Sequence, residues 1–149
     1  MTRLDVHLAT PHAHGISDDP VSWLPAPARP AGNQQWSTTL RVGPLHRLVT
    51  VSIGPLVRDG DRQIRLIRWV PGERPGDILP FEVLLPSFTG ELVAEPDGLQ
   101  LVGTYAPPAA WFGRVADVAL RNAAVHTAND LLHDIVEEMA AVATTGGRT

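Results

Sequence analysis

The chain contains no cysteine, so disulfides and thiolate metal sites are excluded outright. Lysine is missing too: all 12 basic residues are arginine, which beside abundant Ala, Gly and Pro reads as GC-rich coding rather than physical adaptation. No apolar run reaches the ~18 residues that a membrane span needs. The opening Met1-Thr2-Arg3-Leu4-Asp5 has no apolar core of the kind found in secretory leaders, so cytoplasm is the default expectation. No Ser-His-Asp order, glycine-rich phosphate loop or His-Glu-x-x-His signature occurs, and no residue is placed well enough to be named a general base.

What is present suits one domain. The 149 residues are enough for a real core, and 44% hydrophobic with 19% charged residues is an ordinary globular balance that argues against disorder. The net charge of −4 argues against general nucleic-acid affinity. It is unevenly spread. Residues 41–74 hold seven arginines against Asp59, Asp61 and Glu73, a net of +4, whereas residues 75–149 carry a net of −7. The positive middle could form a local rim that attracts anions.

The first two thirds read as strands and turns. Arg3 to Ala9 alternates, with Leu4, Val6 and Leu8 on one face. From Thr10 to Asn33 five prolines and two glycines break any period, which marks residues 10–35 as a connector or flap. Within it, Asp18-Asp19-Pro20-Val21 has the chemistry to cap one short helical turn carrying Trp23 and Leu24. Trp36 to Val42 alternates again. Arg47 to Val57 and Gln63 to Val70 are then two β-branched strands around Asp59-Gly60-Asp61. A three-residue loop sets Val51 opposite Trp69 and Ile53 opposite Ile67, so that Val49, Val51, Ile53, Ile67 and Trp69 share a face with Arg65 at its edge. A two-residue loop would pair Val51 with Arg68 and bury a charge, so the first register is expected. Phe81 to Leu85 suits a short strand. Phe88 to Glu95 and Leu99 to Tyr105 form a hairpin through Glu95-Pro96-Asp97-Gly98, with Phe88, Leu92, Ala94, Leu101, Gly103 and Tyr105 on one face.

The last third, from Pro107 to about Ala143, is expected to be one long helix. Its halves disagree. Phe112, Val115, Ala116, Ala119 and Ala123 form one stripe, and Ala128, Leu131, Leu132, Ile135 and Met139 form another roughly 140° around it at ~100° per residue. Either the helix kinks near Arg121 to Ala124 or its halves cover different partners. Residues 144–149 are expected to be a disordered tail. The fold class is α+β: a curved antiparallel sheet of six to seven strands around a long C-terminal helix.

This order is the helix-grip plan. Leu84-Leu85-Pro86-Ser87-Phe88-Thr89-Gly90-Glu91-Leu92, then Gly103-Thr104-Tyr105-Ala106-Pro107-Pro108 and the helix, resembles small bacterial members of the START-like (SRPBCC) superfamily. Trp23-Leu24-Pro25, Val42-Gly43-Pro44, Gly60-Asp61-Arg62 and Arg68-Trp69 resemble earlier parts of the same pattern. That superfamily includes lipid- and polyketide-binding proteins, aromatase/cyclases, oxygenase subunits and chaperone regulators. The resemblance implies a fold and a cavity, not a reaction. Two helices usually follow the first strand in that plan; here the segment is short and proline-rich.

The resemblance implies a hydrophobic small molecule, lipid-like or polyaromatic, bound between sheet and helix without a cofactor. Arg65 and Trp69, four residues apart on the expected concave face, could hold a carboxylate or enolate; equally, Trp69 is plain core and Arg65 reaches solvent at the sheet's end. Tyr105, the only tyrosine, and His126 could point polar groups into the same space. Trp36, Val49, Val51, Ile67, Phe88, Leu101 and Phe112 are expected to line it. His126, Asn129, Asp130 and His133 equally fit a solvated helix face, and Asp134, Glu137 and Glu138 fit an exposed acidic one. His12-Ala13-His14 beside Asp18 and Asp19 invites a metal reading, but no further ligand has a recognisable spacing. The alternatives are a polyketide cyclase- or dehydratase-type enzyme on this fold, and a protein-interaction module with a filled core. A homodimer is left open.

Overall fold

The computed structural model describes residues 2–42, 45–71, 87–106 and 115–146. Eight strands alternate with turns before one helix: β1 (Thr2–Ala9), β2 (Arg29–Gly32), β3 (Gln35–Val42), β4 (Leu45–Ile53), β5 (Val57–Asp59), β6 (Arg62–Pro71), β7 (Ser87–Glu95), β8 (Gly98–Ala106) and α1 (Val115–Gly146). All pairings are antiparallel, in the order β1-β8-β7-β6-β4-β3-β2, with β5 branching from β6. The expected α+β plan is present, with eight strands among the described residues where six to seven are expected. The additions are β5 and β2, which lies inside the proline-rich connector. Pro30 is tolerated in β2 because that strand is the sheet's edge and one N–H face needs no partner. The expected strand Phe81 to Leu85 falls outside the described residues.

The β4–β6 register is decided by burial, and the chain reaches it by an unexpected route. The turn holds two residues, Gly60-Asp61, with Asp59 opposite Arg62 and Gly60 at φ +63°, where glycine has no Cβ to clash. Continued unbroken, that ladder would set Ile53 against Arg68. Instead the three residues Gly54-Pro55-Leu56 stand opposite two on β6, and the extra residue restores Val51 opposite Trp69 and Ile53 opposite Ile67. Val49, Val51, Ile53, Ile67 and Trp69 are all buried as a result. The loop is shorter than expected, and the expected ladder stands.

Gly90 faces Gly103 across β7 and β8, where the two backbones approach too closely for side chains. A Cβ on Gly90 would run into the Val102 carbonyl oxygen, and one on Gly103 into that of Thr89. The Phe88 ring covers this bare backbone, its Cζ only 2.7 and 2.8 Å from those two hypothetical Cβ positions. It also stacks on Trp69 with centroids 4.5 Å apart and planes 21° from parallel. Two facing glycines let the strands approach, and an aromatic ring seals the gap.

Helix α1 has 32 residues, about 48 Å at ~1.5 Å per residue. It runs without interruption through Arg121 to Ala124. It approaches β1 and β8 on one side of the curled sheet and β3 on the other. Ala124, Ala128, Leu131, Leu132, Ile135 and Met139 are buried in the interface. The expected second stripe is therefore the core-facing one; the side chains of the first stripe lie outside the described residues. Residues 144–146, expected in a disordered tail, continue the helix, and Thr144 Oγ1 donates to the Ala140 carbonyl at 2.9 Å. Among the described residues no helix is long and apolar enough to cross a membrane.

Candidate functional site: a cleft beside the terminal turns of α1

Between β1 and β2 the chain makes two short 3-10 segments, Ala13–Ser17 and Pro20–Ser22. The second forms for the reasons legible in its residues. Asp19 accepts a hydrogen bond from the Val21 N–H at 3.0 Å, and Pro20 takes the first position, where no donor is needed. Trp23 follows fully buried, its indole N–H donating to the Asp18 carbonyl at 3.0 Å. The first segment buries Ala13 and Ile16 and packs on β6 and β7, two strands that α1 itself scarcely approaches. Sheet and helix thus meet at the two sides of the palm, and this segment fills the middle.

Arg65 fastens it there. Its Nε donates to the Ile16 carbonyl at 2.6 Å, and its Nη2 to those of Ser17 and Asp18 at 3.3 and 3.2 Å. Nη1 donates to Gly54 at 3.0 Å, tying in the same irregular loop that corrects the β4–β6 register. Partial burial pushes the guanidinium pKa down, and the nearby Asp19 and Asp18 charges oppose that shift.

A cleft of about 210 Å³ opens between the two 3-10 segments and the C-terminal turns of α1. Its floor is Gly15, Trp23 and Met139, with Val142 and Ala143 along the helix side and His12, His14, Asp18 and Ser22 around the rim. Gly15 lies close against Met139: a Cβ there would be 2.9 Å from Met139 Cγ and Sδ, so that side chain would have to shift. Among the described residues no three His, Asp or Glu side chains are grouped to hold a metal ion.

The structure places the expected site residues unevenly. Val49, Val51, Ile67, Trp69, Phe88, Leu101 and Tyr105 are brought together in one buried cluster, with Trp36 half-buried against it. Arg65 lies at the edge of this face, but its donors are taken by backbone carbonyls. His126 is exposed, which puts it outside the sheet–helix interior. Phe112 lies outside the described residues. Asp134, expected on a solvated acidic face, instead pairs with Arg41 of β3. The cleft residues were hidden because their segment has no period to read. The one usable signal was Trp23-Leu24, two large apolar side chains among prolines. In comparisons with family models, curated proteins and solved structures nothing matches this chain, so its site is read from its own geometry.

Proposed function

We propose that this chain is a START-like binding module that takes a hydrophobic small molecule between its sheet and α1, admitted through the cleft at Trp23 and Met139. The observation that carries the reading is the cleft's make-up. Its floor is apolar and continuous with the core through those two buried side chains, while its rim is polar. The strand order, the long terminal helix and the two 3-10 segments after β1, where the resemblance leads one to expect two helices, support the same assignment. Affinity would come from apolar area, at ~25 cal/mol per Å² removed from water. A cyclase- or dehydratase-type reaction takes second place. It needs a titratable group in the interior, and of Arg65, Tyr105 and His126 only Tyr105 is buried.

Native mass spectrometry of freshly purified protein, with thermal shift against a panel of amphiphiles, tests the proposal. A co-purified apolar ligand, or stabilisation by amphiphiles that grows with their concentration, supports it. No ligand and no shift across the panel contradicts it.

A further inference from the structure

The cleft is smaller than the ligand class calls for. Small-molecule sites usually enclose ~300–1,000 Å³, and this cleft has about 210 Å³. The missing volume has an obvious source. The segment Ala13–Ser17 belongs to neither sheet nor helix, yet it buries Ala13 and Ile16 completely over β6 and β7. Its own backbone bonds are local: Gly15 N–H to the His12 carbonyl and Asp18 N–H to the Gly15 carbonyl. The polar ties from its C-terminal end to the sheet are those made by Arg65.

The chemistry of those ties is unusual for a half-buried cation. Arg65 carries a full charge that the Asp19 and Asp18 charges favour from a distance, but among the described residues no carboxylate hydrogen-bonds to it. Four neutral carbonyls accept its bonds instead. A guanidinium prefers a carboxylate, which takes two parallel bonds at once and adds the attraction of opposite charges. The present arrangement satisfies the donors with neutral acceptors, and a carboxylate that takes two of them at once can compete for the same donors.

We infer that Arg65 is the head-group site for an anionic amphiphile, and that the segment Ala13–Ser17 occupies the place of its apolar chain until such a ligand arrives. The inference rests on the binding function proposed above and names its ligand class. A carboxylate reaching Arg65 through the cleft replaces the carbonyls of Ile16, Ser17 and Asp18. The segment then withdraws, and the volume of Ile16 and Ala13 passes to the alkyl chain. The same exchange accounts for a site closed without ligand: the segment lies over β6 and β7, and Arg65 keeps it in place.

The test compares decanoate with decanol, equal in chain length and different in charge, on the full chain. Hydrogen exchange is followed at residues 13–18. Decanoate is expected to bind at least about tenfold tighter, the ratio that one charge-assisted contact supplies, and to speed exchange at Gly15 and Asp18. Arg65→Gln should abolish the preference. Because that variant can lose stability, Arg65→Lys provides a second reading. It keeps the charge with poorer geometry, so its segment should exchange faster without ligand while the preference for decanoate persists. Equal binding of the two probes with unchanged exchange overturns the inference and leaves the binding function standing. Binding of neither probe overturns both.

Discussion

Arg41 and Asp134, 93 residues apart, meet in a two-bonded ion pair at 2.8 and 3.2 Å that fastens β3 to α1. Asp130, one helical turn earlier, lies 4.0 Å from the same guanidinium. The pair secures α1 on the side of the sheet opposite β1 and β8, where apolar contact alone would let the helix slide. Its hydrogen bond to Asp134 raises the Arg41 pKa more than burial lowers it.

A double-mutant cycle with Arg41→Ala and Asp134→Ala should therefore give a coupling of about 1 kcal/mol, the upper end for partly exposed pairs. It should shrink in 1 M salt, where the screening length falls to ~3 Å. The folded-state pKa of Arg41 is raised, so its contribution is fully present below the ordinary arginine value and lost only as pH climbs through the raised one. The coupling should accordingly be the same at pH 7 and pH 9, measured by urea unfolding.

The close backbone approach at Gly90 and Gly103 predicts a sharp asymmetry among glycines. Gly90→Ala and Gly103→Ala each force a methyl group into backbone and should cost about 3 kcal/mol. Gly60→Ala meets no neighbour within 4 Å and is strained only by its positive φ, so it should cost about 1 kcal/mol. Phe88→Ala removes both the cover over the glycines and the stack on Trp69, for about 3–5 kcal/mol. Thermal and urea unfolding measure all four.

Deleting Pro55 tests the register. Without it, Gly54 and Leu56 would stand opposite the two residues Leu66 and Arg65, and the ladder from the two-residue turn would run unbroken to Ile53 opposite Ile67. The apolar row should keep its face, so the variant should retain cooperative unfolding and near-ultraviolet circular dichroism. Loss of both would show that burial of Ile53 and Ile67 does not by itself set the pairing.

The register was legible because only one alignment of Val51 and Ile53 against Ile67 and Trp69 buries no charge. The route to it was not, since a one-residue irregularity leaves no periodic trace in Gly54-Pro55-Leu56. Strands β1, β3, β7 and β8 announced themselves by alternation. Strand β2 did not, because Arg29-Pro30-Ala31-Gly32 offers no apolar face and pairs only as an edge. The helix stripe from Ala128 to Met139 was readable for the same reason as the strands. The candidate site was harder. Its aromatic and aliphatic wall followed from strand parity, but the cleft is assembled from His12 to Trp23, where conformation comes from caps and carbonyl bonds rather than from a repeating pattern. Arg65 could be placed at the edge of the concave face; that its partners would be carbonyls 11 to 49 residues away could not be read.

Two positions on α1 separate surface from site. His126→Ala, on the exposed side, should change stability by less than about 0.5 kcal/mol and leave amphiphile binding untouched. Met139→Ala should cost about 2–5 kcal/mol, because its side chain packs on Gly15 and closes the core beneath the cleft. Thermal shift with and without decanoate distinguishes the two.

The central claim is that an apolar ligand enters between sheet and helix beside Met139. The chain has two methionines, Met1 and Met139, so a carbon-13 methyl-methionine NMR spectrum contains two assignable signals. Titration with decanoate should shift the Met139 methyl resonance in proportion to occupancy, while Met1 stays in place. Saturable binding with the Met139 signal unmoved would put the ligand elsewhere and contradict the account.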